Sequence, residues 1–218
     1  MAELNNKEIE RVRREYDLDQ LDESKLPVDP LLLFAAWMEE ATRSGIPDPT
    51  AMTLSTVDGS GSPSSRIVLL KKIDKNKLIF FTNYHSRKAR EIKNISRVAA
   101  HFYWPALERQ VKVAGIAKPV EDAESELYFR SRPFESQVSA WASPQSEIVP
   151  DREYLEREYR LYLDKFENSG DVPRPAYWGG YSITPLRMEF WQGGKYRLHD
   201  RMEYTLKDER WSRVRLAP

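Results

Sequence analysis

The chain has 218 residues, and 34 Lys or Arg side chains balance 34 Asp or Glu side chains, so the formal net charge is zero. Such a chain has no global field that would draw it to nucleic acid or to an anionic membrane, and any basic site must be local. Cysteine is absent, which excludes disulfides, thiolate metal sites and cysteine nucleophiles. Redox chemistry would therefore require a bound cofactor.

The sequence also carries expectations about location and metals. No apolar run is long enough to span a bilayer, and residues 1–7 lack the apolar core of a signal peptide. We therefore expect a cytoplasmic protein. The histidines His85, His101 and His199 lack the close pairing of a zinc motif, so we expect no metal site.

The N-terminal part of the chain is predicted to be helical. Residues 4–16 have the narrow apolar stripe of a helix, and residues 18–28 lack periodicity, so residues 1–28 form a helical arm and linker. A second helix begins with Asp29 as N-cap and Pro30 at the first helical position, and Gly45 ends it. Its predicted core residues are Leu31, Phe34, Ala35, Met38 and Ala41.

From residue 51 the apolar period changes to two, which indicates strands. The predicted strands are 51–57, 64–72, 77–82, 98–104, 109–119, 181–184, 187–192, 195–205 and 211–215, with helices at 87–94, 121–132 and 151–166. The early connections are too short for parallel crossovers, so neighbouring strands are antiparallel. The sequence predicts one domain over residues 1–218, mainly β with flanking helices, as an antiparallel β-barrel or strongly curled sheet.

The stretch Phe190–Arg201 is the strongest candidate for a binding site. Gly193-Gly194 predicts a two-residue hairpin turn, with Lys195–Met202 as the returning strand. Alternation along that strand would place Arg197, His199 and Arg201 on one face, beside Trp191. This face would bind an anionic or a flat, electron-poor ligand. The alternative is a solvated basic edge strand.

Three further basic clusters are typical of phosphate sites, although each has an ordinary explanation. Ser86 is a plausible N-cap that places Arg87 and Lys88 in the first helical turn, where they would either bind phosphate or extend into water. Arg66 and Lys71 flank the apolar run Ile67–Leu70, which predicts a strand buried on both faces. By parity the two cations lie on opposite faces and serve separate sites or stay solvated. The third cluster is Tyr128, Arg132 and Ser136, whose donors suit a phosphate.

The motif from Glu189 to Gln192, followed by Arg197–Arg201, resembles the C-terminal signature of the pyridoxine/pyridoxamine 5'-phosphate oxidases. The resemblance extends over nearly the whole chain. It includes Arg13–Tyr16, Asp48–Met52, Arg66–Lys71, Ser86–Ala89, Glu108–Val111, Ser131–Pro133 with Ser136-Gln137, Trp178–Gly180 and Arg215–Pro218. Met188 and Phe81 are small departures from the family pattern.

The resemblance implies a split β-barrel that binds FMN in the subunit interface of a homodimer. It implies oxidation of pyridoxine 5'-phosphate or pyridoxamine 5'-phosphate to pyridoxal 5'-phosphate, with O2 re-oxidising the flavin to give H2O2. No nucleic acid or membrane partner is implied.

The resemblance also assigns residues to the two ligands. Arg66, Arg87 and Lys88 would hold the FMN phosphate. The rest of FMN would be surrounded by Ile67, Val68, Leu69, Leu70, Lys71, Phe81, Thr82, Gln110, Gln145, Ser146, Trp191 and Arg201. Lys71, Tyr128, Arg132 and Ser136 would bind the substrate phosphate. Arg197, Leu198 and His199 would lie against the pyridine ring, with Arg13, Tyr16 and Asp48 nearby; the catalytic residues would be Arg197, His199, Asp48 and Tyr16.

Two other classes of protein stay open at this point. One is a split barrel that reduces or stores flavin without a second substrate. The other is a non-enzymatic module that binds phosphorylated metabolites or pyridoxal phosphate for delivery. A flavin-only binder has no need of a second phosphate site. The Arg197 and His199 pair, together with Tyr128, Arg132 and Ser136, therefore distinguishes the oxidase from it.

Overall fold

The structure is a computed structural model that describes residues 10, 11 and 13–218. These residues form two compact units, each built from separate stretches of the chain. The first unit contains the described residues up to Pro49 together with Tyr103–Lys112 and Arg187–Pro218, and the second contains Thr50–Phe102 and Val113–Leu186. The single domain expected from the sequence stays a prediction.

Nine strands and five α-helices occur in the described residues. The strands are β1 Ala51–Val57, β2 Pro63–Leu69, β3 Lys72–Asp74, β4 Lys77–Asn83, β5 Arg97–Trp104, β6 Arg109–Pro119, β7 Trp178–Gln192, β8 Asp200–Lys207 and β9 Arg210–Arg215. The helices are α1 Pro30–Arg43, α2 Arg87–Asn94, α3 Asp122–Arg130, α4 Phe134–Ala142 and α5 Arg152–Glu167. Short 3-10 turns cover Glu23–Lys25, Pro105–Leu107 and Lys195–Arg197.

Hydrogen bonds join the strands in the order β2-β1-β5-β6-β7-β4-β3, and β8 pairs with both β7 and β9. The pairings of β1 with β2 and β5, of β4 with β3 and β7, and of β8 with β7 and β9 are antiparallel. The prediction of a mainly β fold with antiparallel strands and helices is therefore confirmed. No described helix combines the length and apolar character needed to cross a membrane.

The core of the first unit is aromatic. Trp37 of α1 meets Phe190 of β7 edge to face at 5.3 Å between centroids, and Phe190 meets Tyr204 of β8 in the same way at 5.7 Å. Such pairs add about 0.5–1.5 kcal/mol beyond area burial. They fix the C-terminal end of β7, where the signature stretch begins.

The second unit has a separate apolar cluster beneath its helices. Phe129 of α3, Val138 of α4 and Phe166 of α5 are buried together with Trp178 at the start of β7. The three helices are thereby held against one end of β7. This packing fixes the positions of the side chains that α3 and the α3–α4 turn direct toward solvent.

Local signals in the sequence predict the helix starts well. Asp29 caps α1 by accepting a hydrogen bond from the Leu31 amide, and Pro30 is the first helical residue. The predicted helix at 87–94 and strand at 109–119 agree with α2 and β6. In α1, however, Trp37 is buried and the predicted core residue Ala35 is exposed.

The predicted N-terminal helix lies mostly outside the described residues. Within it, Glu10 and Arg11 are helical, whereas residues 13–16 belong to no helix or strand. Helix α4 was not predicted, because Pro133 was interpreted as a break, whereas it lies at the N-cap position of a new helix. The predicted strands 181–184 and 187–192 are one continuous strand, β7.

The predicted two-residue turn at Gly193-Gly194 is wrong, although β7 and β8 pair antiparallel as the predicted hairpin requires. After β7 ends at Gln192, the chain makes the 3-10 turn at Lys195–Arg197, and β8 begins only at Asp200. The positive φ angles lie at Tyr196 (57°) and Arg197 (65°), not at the glycines. The seven residues 193–199, here called the signature loop, therefore follow no strand alternation.

Candidate active site

A cavity of about 650 Å³ in the second unit brings together most of the residues predicted to bind cofactor and substrate phosphate. Ligand cavities in proteins typically measure 300–1,000 Å³. The predicted residues that line it are Arg66, Ile67, Val68, Leu69, Lys71, Phe81, Thr82, Lys88, Tyr128, Arg132, Ser136 and Gln145. We call this cavity the cationic cleft. Leu70 is buried and does not line it.

Lys88 lies buried at the start of α2 with neutral partners. Its Nζ donates to Gln145 Oε1 at 2.7 Å, Thr82 Oγ1 at 3.1 Å and Ser86 Oγ at 3.2 Å. Burial, together with the charge of Arg66, lowers the pKa of Lys88 to about 8. An anion in the cleft would reverse this shift, because it favours the charged ammonium.

Glu91 organises the arginines beside this lysine, and the sequence analysis missed it. Its buried carboxylate accepts from Arg87 Nε at 2.8 Å, from Arg66 Nη2 at 3.3 Å and from the Ser64 hydroxyl at 2.6 Å. The Thr56 hydroxyl donates to it as well. Glu91 thus fixes Arg66 in the cleft wall. The only sequence signal was its i+4 spacing from Arg87.

Arg132 occupies the end of the cleft formed by the α3–α4 turn. Its guanidinium carbon lies 4.6 Å from the Trp178 ring centroid, and its Nη1 atom is buried without a hydrogen-bond partner among the described residues. Burial lowers the pKa of Arg132. A buried donor without an acceptor is costly, so this atom indicates an acceptor-rich ligand.

An aromatic stack forms the wall beside Arg132. The rings of Phe81 and Tyr128 stack at 3.9 Å between centroids, and Phe81 stacks on Trp178 at 5.6 Å. Trp178 was quoted in the sequence motif without a role. The stack holds the Tyr128 hydroxyl and the Arg132 guanidinium at one end of the cleft, as the predicted phosphate cluster requires.

The prediction that Arg66 and Lys71 lie on opposite faces is wrong, since both residues line the cationic cleft. That they serve separate phosphates stays a prediction. Strand β2 ends at Leu69, so alternation does not extend to Lys71, whose amide donates to the carbonyl of Ile79. The run Ile67–Leu70 is also not buried on both faces. Ile67 is 64% exposed and Leu69 37% exposed, because β2 lies at one end of the strand order.

A second group of predicted residues lies in the first unit, around the signature loop. The Tyr16 ring contacts the rings of Trp191 and His199 edge to face, at 5.6 and 5.5 Å between centroids. Trp191 and His199 lie 4.7 Å apart. We call these three side chains the aromatic triad.

The three basic side chains predicted beside Trp191, which are Arg197, His199 and Arg201, carry less net positive charge than the sequence predicts. The amide of Gly194 donates to Nδ1 of His199 at 3.1 Å, so a neutral His199 carries its proton on Nε2. Burial, together with the charge of Arg197, lowers the pKa of His199. Arg201 is neutralised by Glu189 at 2.9 Å. Arg197 is exposed and has no ion pair within the described residues.

Other predicted residues lie outside these two groups. Arg87 pairs with Glu91 without lining the cleft, and Ser146 is exposed in the left-handed conformation (φ 73°). Asp48 is also exposed with positive φ (47°), and Gln110 is half-buried in β6. Arg13 and Leu198 are exposed. No group of three metal-ligating side chains occurs in the described residues.

The cationic cleft fits a phosphorylated aromatic cofactor. The unpartnered Arg132 Nη1 and the buried Lys88 ammonium, which has no carboxylate partner in the described residues, supply donors for phosphate. The exposed edge of β2 and the aromatic stack supply apolar surface for a ring system. An anionic ligand with a flat ring would satisfy both.

Comparison with solved structures shows the fold class of the protein. The chain superposes with a TM-score of 0.87 on PhzG from Burkholderia lata 383 in complex with tetrahydrophenazine-1-carboxylic acid, at 30% identity over 92% of this chain and 99% of that one. It also superposes on a pyridoxamine 5'-phosphate oxidase-related, FMN binding protein from Nostoc punctiforme, with a TM-score of 0.69 and 17% identity over 88% and 100% of the two chains. The predicted split-barrel fold is thereby confirmed.

Sequence comparison then gives the family. Residues 38–163 match the family model described as Pyridoxamine 5'-phosphate oxidase. Residues 178–218 match the model described as Pyridoxine 5'-phosphate oxidase C-terminal dimerisation region, which supports the predicted homodimer. The pyridoxine/pyridoxamine 5'-phosphate oxidases of Shewanella pealeana and Polynucleobacter asymbioticus are 49% and 45% identical, over 97% and 96% of this chain and 99% of each of theirs. The chain belongs to the pyridoxine/pyridoxamine 5'-phosphate oxidase family.

Proposed function

We propose that this protein oxidises pyridoxine 5'-phosphate or pyridoxamine 5'-phosphate to pyridoxal 5'-phosphate, with FMN as cofactor and O2 as final acceptor, giving H2O2. The observation that supports the proposal is that four cations, Arg66, Lys71, Lys88 and Arg132, line one cleft. By the family resemblance, Arg66 and Lys88 form a set for the cofactor phosphate, and Lys71 and Arg132 form a set for the substrate phosphate. Cofactor and substrate each carry a phosphate, so an enzyme for this reaction needs both sets.

In the proposed complex, Arg66 and Lys88 bind the FMN phosphate from the cleft wall. Arg87, which Glu91 holds outside the cleft lining, is assigned to the same phosphate by the family resemblance. Charge-assisted hydrogen bonds to phosphate are roughly twice as strong as neutral ones, and Glu91 keeps two of the three cations in place. Ile67–Leu70, Phe81, Thr82 and Gln145 surround the rest of the cofactor. When bound, FMN supplies the hydride acceptor, so the protein supplies binding and orientation.

The second set binds the substrate phosphate. Arg132 reaches it with the Nη1 atom that has no partner among the described residues, and Lys71, Tyr128 and Ser136 add an ammonium and two hydroxyls. Tyr128 is held by its stack on Phe81. Anchoring the phosphate fixes the distance of the reacting carbon from the cofactor, and well-oriented reactants gain up to about 7–11 kcal/mol over free encounter.

The signature loop acts on the pyridine ring. We propose that the Arg197 charge stabilises the negative charge that develops on the substrate ring system, and that neutral His199 donates from Nε2. By the family resemblance, Trp191 contacts FMN and Tyr16 lies near the substrate. Two copies of the chain combine as a homodimer with FMN at the interface, as the family resemblance implies.

The remaining assignments rest on the resemblance alone. Gln110, Ser146 and Arg201 are predicted to contact FMN, while Arg13, Asp48 and Leu198 are predicted to lie near the substrate. A cytoplasmic location likewise stays a prediction.

One experiment tests the proposal against both rivals. Protein purified in air is examined for bound yellow flavin, which is released and identified as FMN; pyridoxine 5'-phosphate is then added, and H2O2 and pyridoxal 5'-phosphate are measured. We expect both products in equal amounts. Bound FMN without turnover would indicate a flavin store or reductase. Binding of pyridoxal phosphate without flavin would indicate a delivery module, and either result would overturn the proposal.

A further inference from the structure

Glu108 is a buried acid with an unusual backbone in the first unit, and it belongs to neither the cationic cleft nor the aromatic triad. It follows the turn at Pro105–Leu107, is 6% exposed and has a φ of 55°. Residues other than glycine seldom adopt this left-handed conformation, which costs of order 1–3 kcal/mol where the surroundings must enforce it. Such an outlier justifies asking what the residue holds in place.

The carboxylate of Glu108 holds the segment Arg14–Leu18, which has no helix or strand of its own. Oε1 accepts from Arg14 Nη2 at 2.7 Å, and Oε2 accepts from the amides of Asp17 at 2.9 Å and Leu18 at 3.1 Å. Hydrogen bonds to an ionised carboxylate are among the stronger ones in proteins. This segment carries Tyr16.

The backbone of Glu108 holds the other half of the aromatic triad. Its carbonyl accepts from the amide of Gly193 at 2.8 Å, at the first residue of the signature loop. Tyr16 packs directly on Gly193, where a Cβ would lie 2.8 Å from the Cβ of Tyr16. Lys195 of the same loop pairs with Asp17 at 2.8 Å. One residue therefore ties both chain segments that form the triad.

We propose that Glu108 is a positioning residue that sets Tyr16 against Trp191 and His199, and thereby controls substrate affinity without touching the substrate. The effect on affinity rests on the proposed function; the effect on residues 14–18 does not. A plain structural role, in which Glu108 only satisfies loop amides, would instead lower stability and leave the triad's contribution to binding intact.

The first test needs no substrate. In Glu108→Gln the charge on the acceptor is lost, so we expect amide hydrogen exchange at Asp17 and Leu18 to accelerate by roughly tenfold or more. The matched control is Glu40→Gln, which removes a carboxylate paired with buried Arg109 in the same unit but touching none of residues 14–18. Equal protection of the two amides in Glu108→Gln and wild type would overturn the proposal, whatever reaction the protein catalyses.

The second test uses a double-mutant cycle on KM for pyridoxine 5'-phosphate, with FMN content measured in each variant. We expect Glu108→Gln to raise KM by roughly tenfold with unchanged FMN content. Added to Tyr16→Ala, it should raise KM no further, because it acts through Tyr16. Independent, multiplying effects would overturn the proposal.

A third variant guards against misfolding of Glu108→Gln. Arg14→Ala removes one partner of the carboxylate at an exposed position and leaves Glu108 itself unchanged, although it also removes the Arg14 hydrogen bond to the Pro105 carbonyl and the Arg14 contact with the Tyr16 ring at 5.3 Å. We expect the same rise in KM, by a smaller factor, and again none in a Tyr16→Ala background. An Arg14→Ala enzyme with wild-type KM and wild-type exchange at Asp17 would contradict the assignment.

Discussion

Replacing Arg132 by methionine should separate stability from function. The guanidinium is half-buried, lies over the Trp178 ring at 4.6 Å and leaves Nη1 buried without a partner in the described structure. An unsatisfied buried donor costs about 1–3 kcal/mol, while the cation–π contact returns about 0.5–2 kcal/mol. In the ligand-free protein the two nearly cancel. Arg132→Met should therefore keep or raise the free energy of unfolding, by up to about 2 kcal/mol.

Binding should change far more than stability. In the proposed complex with substrate, the guanidinium donates charge-assisted hydrogen bonds to the phosphate, worth about 1.5–3 kcal/mol each. Loss of two of them costs at least about 3 kcal/mol, which is a rise of roughly 150-fold in KM for pyridoxine 5'-phosphate. Bound FMN should stay at its wild-type content, since Arg132 belongs to the second set of cations. Thermal unfolding of flavin-free protein and steady-state kinetics measure the two effects.

The neighbouring arginine provides the control. Arg130 is exposed and pairs with Glu126 at 2.7 Å and Asp171 at 3.3 Å. Such surface pairs contribute about 0–1 kcal/mol, so Arg130→Met should lower stability slightly and leave KM unchanged. The reasoning is refuted if Arg132→Met destabilises the flavin-free protein more than Arg130→Met does, or if its KM equals that of the wild type.

Three further predictions concern the other charged groups. Burial and the charge of Arg66 lower the pKa of Lys88 to about 8, so the affinity for FMN should fall as pH rises above about 8, whereas the affinity for riboflavin, which has no phosphate, should not. Lys88→Arg should remove this pH dependence of FMN binding. An FMN affinity that does not change with pH in the wild type would contradict the prediction. For Glu91, burial raises the pKa, but hydrogen bonds from Ser64, Thr56 and Arg87 outweigh it and lower the pKa to about 2. The stability that Glu91 contributes is present above its unfolded-state pKa near 4.5 and is lost as pH falls toward 2. The difference in free energy of unfolding between wild type and Glu91→Gln, measured in urea, should therefore become smaller as pH falls from about 6 to about 3. A difference that stays constant over this range would contradict the prediction. Arg197→Met should depress kcat and substrate binding while FMN stays bound; loss of FMN with unchanged turnover per remaining flavin would exclude the proposed role.

Local sequence signals predicted those elements whose causes are local. Asp29 and Pro30 begin α1 because capping and a fixed φ act over one or two residues. Ser86 stands before α2 as expected, although its hydroxyl accepts from Lys88 rather than capping the helix. The same reasoning failed at Gly193, whose lack of a side chain serves the close approach of Tyr16. That contact joins residues far apart in the sequence, so no window around Gly193-Gly194 reveals it.

The residues that organise the site were also hidden by distance in the chain. Glu91 meets Arg66 and Thr56 from 25 and 35 residues away, and Glu108 meets Arg14 from 94 residues away. Sequence patterns favour the cations because phosphate requires them, whereas a carboxylate that orients a cation looks like any surface acid. Only the contacts in the folded chain distinguish a carboxylate that orients a cation from an ordinary surface acid.

Among the arginines of the site, pairing with a carboxylate follows the proposed role. Arg66 and Arg201 each have a carboxylate partner, in Glu91 and Glu189 respectively. Lys71, Arg132 and Arg197, the cations predicted to meet the substrate, have no carboxylate partner in the described residues. A paired arginine is already oriented and offers its remaining donors to a cofactor that stays bound. An unpaired cation keeps its full charge for a phosphate or ring that must arrive and leave in every turnover, and the ligand-free protein bears the cost as an unsatisfied donor at Arg132. Lys88 departs from this division, because it is assigned to the cofactor and has no carboxylate partner in the described residues. Its neutral acceptors Thr82, Ser86 and Gln145 hold it in place instead.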